Sequence, residues 1–336
     1  MRTARFGRAL LGGALSTTAR ATLSRILPLA GLVIVVTFFV ATADRAAVLA
    51  AMRQADGALV AVVVIGTGLV GWLADAVCLT WLVAVTLPNA SRRVGLAEML
   101  AIKAWSYLLN VVNYNAATVG MGLAVGNRVG VPMLEATAAL AVLSYLDLLS
   151  LGALVSMGLA WNPDVATLLP ETLRAWLVAV VGGSYVGALG VLLLLQSRLE
   201  HPLLERLRGL SVLRPLARLG PRDMLIGVAL RAAFFQVYVV QQYGVLRAVG
   251  LQPQLATLWV VMPVIALVGV VPLSVSGIGT TQVAMRVLYR PFLPTGAAAG
   301  LIDAFSTLLI ASVTALRLLL AVPFLGRFQA PKLDDQ

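Results

Sequence analysis

The sequence predicts an all-α integral membrane protein with about six full spans, two re-entrant helical hairpins and the outline of an inverted repeat. Three observations carry that expectation. Of 336 residues, 60% are hydrophobic and only 12% charged, where a soluble domain is about a quarter charged. Several separate apolar stretches exceed the roughly 18 to 20 residues that a helix needs to cross ~30 Å of hydrocarbon, where open loops and sheet edges are not tolerated. Two further stretches are broken in their middles by polar residues and glycines.

Taken in order, a basic region at 1–25 with Arg2, Arg5, Arg8, Arg20 and Arg25 precedes the first apolar span, 26–43. Ala41-Thr42-Ala43 has the small-x-small look of a signal-peptidase site. The basic region is long and more spans follow, so the expectation is an uncleaved first helix with a cytoplasmic amino terminus. Further spans are expected at 57–87, 132–160, 173–196, 224–248 and 296–324, with broken elements at 104–126 and 255–290. Residues 26–326 thus read as one membrane domain, followed by a short cytoplasmic tail at 327–336.

Charge orients these elements. The linker 197–223 holds Arg198, Arg206, Arg208, Arg214, Arg218 and Arg222 against three acids, and belongs in the cytoplasm, where it suits a basic helix lying on the membrane. No Lys or Arg occurs from Trp161 to Leu173, so the loop bearing Asp164 and Glu171 belongs outside. A single crossing by 104–126 would reverse both assignments. A hairpin that enters from the cytoplasm and turns back keeps Arg92, Arg93, Lys103 and Arg128 inside, and its middle, "NVVNYNAATVGMG", supplies the polar break. The second break, "VVPLSVSGIGTTQ" in 255–290, has the same character, although charge is neutral evidence there. With both as hairpins, span–hairpin–span recurs at 57–160 and 224–324 in opposite orientation, an arrangement that commonly forms a substrate site near the midplane.

Several functions are excluded by composition. One cysteine, Cys78, and one histidine, His201, cannot supply a disulfide framework, a Cys/His zinc site or a histidine-relayed nucleophile. No cofactor or metal is expected. The formal charge of +11 sits mostly on arginines flanking spans, which face anionic headgroups and give no reason to invoke nucleic acid. "GTGLVG", Gly66 to Gly71, matches a dinucleotide-binding pattern, yet lacks the acid expected about 20 residues later and lies in a long apolar run, so close helix packing explains it better. Gly122-x-x-x-Gly126 and Gly183-x-x-x-Gly187 are read as packing patterns.

"VPLSVSGIGTTQVAMRVLY", followed by an Ala/Gly-rich last span with Arg317 and "RLLLAVPFLG", resembles the carboxy-terminal signature of the lysylphosphatidylglycerol synthase transmembrane, or flippase-like, family. The run from Asn110 or Asn113 through Arg128 and Gly130 resembles that family's first signature. The resemblance covers roughly residues 25–326. Gln282 stands where the family commonly has an acid, and "YNAATVGMG" replaces a Pro-Gly-rich first turn; both departures bear on substrate more than on fold. The resemblance implies two re-entrant elements and movement of polar lipids between leaflets. In aminoacylating members a soluble synthase domain follows; this chain stops at Gln336, so that activity is not expected to carry over.

The candidate substrate-binding residues are Asn110, Asn113, Arg128, Asp147, Ser274, Ser276, Gly277, Gly279, Asp303 and Arg317. A charge at the bilayer centre costs about 2.5 to 3.5 kcal/mol on insertion scales and invites either an ion pair or a ligand. Asp147 and Asp303 lie on the spans that follow the broken elements, and so rank above Asp75. At the second break Ser274 and Ser276 offer hydroxyls, Pro272 frees a carbonyl, and Gly277 and Gly279 permit close backbone approach. The polar band Gln236, Tyr238, Gln241, Gln242 and Tyr243 either faces the same cavity or bonds between helices.

The expected function is a non-enzymatic translocator of a polar or polyprenyl-linked lipid in the plasma membrane, with both termini cytoplasmic and membrane lipids as partners. The alternatives are an ion-coupled transporter of a small solute using Asp147 or Asp303, and an accessory subunit of a glycosyl- or acyltransferase. A homo-oligomer or a lipid-modifying enzyme is the protein partner these readings allow. Topology is directly testable: in a Cys78→Ser background, a cysteine at Ser211 should react with an impermeant maleimide only from the cytoplasmic side. Labelling from outside would remove the case for a hairpin at 104–126.

Overall fold

The computed structural model describes residues 45–112, 114–196, 201–202, 205–206, 210–270, 280–295 and 300–325. Every regular element among the described residues is helical: α1 (Arg45–Gln54), α2 (Gly57–Thr86), α3 (Leu96–Val112), α4 (Tyr114–Val129), α5 (Met133–Trp161), α6 (Val165–Leu168), α7 (Glu171–Gln196), α8 (Arg214–Ala217), α9 (Pro221–Ala248), α10 (Leu255–Val270), α11 (Thr280–Leu288) and α12 (Gly300–Ala321). Five of them are long and apolar enough to cross a membrane: α2, α5, α7, α9 and α12. These coincide with five of the six expected spans; the sixth, 26–43, lies outside the described residues. α5 is the central helix, with 67% of its most apolar window buried against 17% for α2 and α7, so the latter two present broad apolar faces outward.

Neither broken element is a single span. α3 and α4, of 17 and 16 residues, are each only about 25 Å long at 1.5 Å per residue, and they pack against one another. Their contact is antiparallel, because a Cβ at Gly120 on α4 would meet Leu109 and Trp105 of α3. The base of the pair is closed by Ser91, whose backbone N–H and hydroxyl both donate to the Val129 carbonyl, at 2.9 and 2.8 Å. α10 and α11 form the counterpart. Gly269 faces Thr281 across them, and the Gln252 N–H donates to the Phe292 carbonyl at 3.0 Å. The turn 271–279 and Asn113 lie outside the described residues.

The two bases sit at opposite ends of the bundle. The Ser91–Val129 closure adjoins the end of α2 and the start of α9, since Arg218 donates to the Thr86 carbonyl and pairs with Glu135. The Gln252–Phe292 closure adjoins the start of α2, where the Asp56 N–H donates to the Ala248 carbonyl. There Asp56 also caps α2, accepting from the Leu59 N–H at 2.9 Å. Each end reverses the chain with one left-handed glycine, Gly130 (φ 69°) after α4 and Gly250 (φ 86°) after α9. Both close Schellman turns, Val131 N–H to Gly126 and Leu251 N–H to Leu246, which only glycine makes without strain.

Two apolar cores follow the same division. One gathers α3, α4 and the adjoining parts of α2, α5 and α9, with Leu79, Met99, Ile102 and Leu146 fully buried. The other gathers α10, α11 and the far parts of α2, α5, α9 and α12, around Leu246, Leu258, Tyr289 and Phe305. α3 begins at Leu96, earlier than the sequence suggested, because Glu98 and Lys103 are neutralised by ion pairs and do not end the helix. α1, which was not expected as an element, packs along α12.

The glycine patterns divide as well. A Cβ at Gly122 would lie 2.1 Å from the Thr137 hydroxyl and 2.7 Å from its Cα, so this glycine sets the approach of α4 to α5, as expected of it. A Cβ at Gly183 or Gly187 would meet nothing within 4 Å among the described residues, so this pair, expected to pack, faces open space. Gly122→Ala should therefore cost about 1–3 kcal/mol through overpacking, read as a lower thermal midpoint in detergent. Gly187→Ala should leave the midpoint unchanged or raise it. Equal behaviour of the two variants would show that α4 and α5 are not held at this distance.

Candidate functional site

A charged side chain on an apolar helix must find a partner or keep contact with water. Asp75, well inside α2, finds two: its Oδ2 pairs with Lys103 of α3 at 2.6 Å and its Oδ1 with Arg231 of α9 at 2.6 Å. The Arg231 Nε donates to Asp147 of α5. Two carboxylates and two cations thus form a neutral chain joining four helices. Arg231, only 4% exposed, also lies over the Phe234 ring at 3.9 Å. Such pairs are stable at depth when the charges are matched, and here each carboxylate faces a cation.

Arg317 stands apart from that chain. It projects from α12 beside a small cavity of about 30 Å³, room for about two waters. Its Nη2 donates to the Tyr238 hydroxyl at 3.3 Å, and its guanidinium lies 5.5 Å from the centre of the Tyr107 ring. Lys103 lies 5.6 Å from the same ring, so Tyr107 connects the neutral chain to the cavity. Thr67 and Gln241 also line the cavity and hydrogen-bond to each other at 2.9 Å. On another wall Leu316 rests on Gly68, where a Cβ would come within 2.2 Å of it. That seat accounts for Gly68 in the "GTGLVG" run as helix packing.

The other expected site residues are scattered. Asn110 is half-buried in the last turn of α3. Arg128 pairs with Glu98, which also binds Arg92 at 2.5 Å, at the base of the first helix pair. Asp303 sits in the first turn of α12 and receives both the Nε and Nη2 of Arg286, at 2.5 and 3.0 Å, beside the second base. Asn113, Ser274, Ser276, Gly277 and Gly279 lie outside the described residues. Asp147 and Arg317 therefore belong to the central region, while Arg128 and Asp303 belong to opposite ends.

Sequence reasoning missed Arg231 and undervalued Asp75 and Lys103. The signal was present: Arg231 interrupts "MLIGVALRAAFF" well inside a span, where a cation demands a carboxylate. The polar band of α9 bonds mainly between helices. Gln236 accepts from the Trp259 indole, Gln242 accepts from the Tyr289 hydroxyl, and Gln241 reaches Thr67. Tyr238 and Gln241 face the cavity as well.

Apolar spans, two antiparallel helix pairs based at opposite ends and charges matched at depth define a multi-pass helical membrane protein. The chain belongs to the family described as the lysylphosphatidylglycerol synthase TM region, whose model matches residues 25–319. Membership gives it a membrane-lipid-related role. No curated protein and no solved structure matches the chain.

Arg231→Gln should lower stability by about 3–5 kcal/mol, because it leaves the Asp147 carboxylate without its cation and Asp75 with Lys103 alone. Arg286→Gln breaks an exposed pair and should cost no more than about 1 kcal/mol. Thermal unfolding of both variants in one detergent checks the contrast. Similar midpoints would show that the Asp75–Arg231–Asp147 chain does not hold the helices together.

Proposed function

We propose that this protein is a non-enzymatic lipid translocator, moving a polar or polyprenyl-linked lipid between leaflets of the plasma membrane with both termini in the cytoplasm. The observation that carries the reading is the guanidinium of Arg317 at a cavity walled by α2, α3, α9 and α12, on a chain whose family is tied to membrane lipids. In this reading both helix pairs are re-entrant, entering from opposite faces as an inverted repeat. Arg92, Arg93, Arg128, Arg214, Arg218 and Arg222 cluster by the first base, which supports placing that end in the cytoplasm.

The mechanism follows from what lines the cavity. A headgroup entering between α2 and α12 exchanges water for the Arg317 guanidinium and the Thr67, Tyr107, Tyr238 and Gln241 side chains, while its acyl chains stay in lipid. The cavity is narrow here, so passage requires Leu316 to lift from Gly68 and part the two helices. Transport of this kind runs downhill.

In proteoliposomes, the wild-type protein should equilibrate a fluorescent phospholipid across the bilayer on a timescale at which protein-free vesicles do not. Gly277→Leu and Gly279→Leu, which place bulk in the second break, should abolish that movement at equal incorporation. Absence of lipid movement by the wild-type chain across anionic, zwitterionic, aminoacylated and polyprenyl lipids would overturn the proposal.

A further inference from the structure

Among the described residues, the charges at membrane depth fall into a closed set and a remainder. Asp75, Lys103, Asp147 and Arg231 satisfy one another and sum to zero. Arg317 is the remainder. Among the described residues no carboxylate lies within ion-pair distance of it, and it is the one charged side chain lining the cavity. The other polar groups there, those of Thr67, Trp72, Tyr107, Tyr238 and Gln241, are neutral. A guanidinium has five N–H donors, and a single hydrogen bond, to Tyr238, is formed at the cavity. The cavity is a singly positive site with donors to spare, in surroundings where charges interact strongly.

We infer that the cargo of this cavity is a lipid phosphate with no cation beside it, a phosphodiester of an anionic glycerophospholipid or a polyprenyl monophosphate, and that zwitterionic and aminoacylated headgroups are rejected. The inference rests on the proposal that the cavity lies on the lipid's path. An arginine fork matches phosphate oxygens in geometry as well as charge. A headgroup ammonium would meet only neutral oxygens on the described walls. It would also lie beside a like charge, that of Arg317 itself. Rejection thus comes from repulsion as much as from a missing partner.

The test is lipid binding to the purified full chain by native mass spectrometry, with phosphatidylglycerol, a polyprenyl monophosphate, phosphatidylethanolamine and lysylphosphatidylglycerol offered at equal concentration. The wild type should retain one or both anionic lipids at least about tenfold over the other two, the ratio expected for one charge-assisted pair; the first two arms identify the source of the phosphate. Arg317→Gln should bring all four to parity, while Arg317→Lys should keep most of the preference. Gln241→Glu, nearly isosteric and on the same cavity, should shift retention toward lysylphosphatidylglycerol, which loss of folding would not do. Retention of lysylphosphatidylglycerol by the wild type on a par with phosphatidylglycerol, or an unchanged preference in Arg317→Gln, would overturn the inference. The same lipids in proteoliposomes separate the two claims. Movement of all headgroups alike sinks the charge selectivity and leaves translocation standing, whereas selective binding without movement does the reverse.

Discussion

A guanidinium held between two carboxylates inside an apolar bundle is the constraint on which the architecture depends. Arg231 cannot be left unpaired in hydrocarbon, and its two acids stand on different helices, so α9 fixes α2 through Asp75 and α5 through Asp147. Asp75 has a second oxygen to satisfy, and Lys103 satisfies it from α3. The first helix pair is thereby joined to the spans by a charge as well as by packing. In a solvent where apolar burial between helices contributes little, such matched polar contacts and close small-residue approaches are what distinguish one arrangement from another.

α9 extends this role along its length. Below Arg231 it bonds successively to Trp259 of α10, Arg317 of α12, Thr67 of α2 and, through Gln242, to Tyr289 just beyond α11. Each bond reaches a different element. The helix is therefore common to both apolar cores, and movement of either helix pair has to be accommodated against it. α12 is held differently: its central polar tie is the Arg317–Tyr238 bond, and its apolar seat is Leu316 on Gly68.

Much of this was legible in the sequence, and the failures have physical causes. Length and apolarity identified five described spans to within a few residues, and positive charge identified the end at which Arg92, Arg128 and Arg218 gather. The polar middles of 104–126 and 255–290 signalled that neither element runs straight through. Pairing partners were not legible. Arg231 and Asp147 are 84 residues apart, and no local pattern says that they meet. Lys103 looked like a flanking charge because its carboxylate is on another helix. Asp303, which composition put at depth, sits one turn into α12, where Arg286 meets it near the bundle's end.

The order in which the chain is made gives the Asp147 pair a further meaning. Asp75 and Lys103 can neutralise each other as soon as α3 emerges, but Asp147 enters the bilayer long before its arginine has been synthesised. α5 tolerates the wait because the rest of it is strongly apolar. α9, which is less apolar than α5 and brings a cation, arrives after both carboxylates are in place. Insertion of the span that carries the buried arginine is thus drawn forward by carboxylates that earlier spans brought in, so biogenesis runs toward the same network that holds the finished protein.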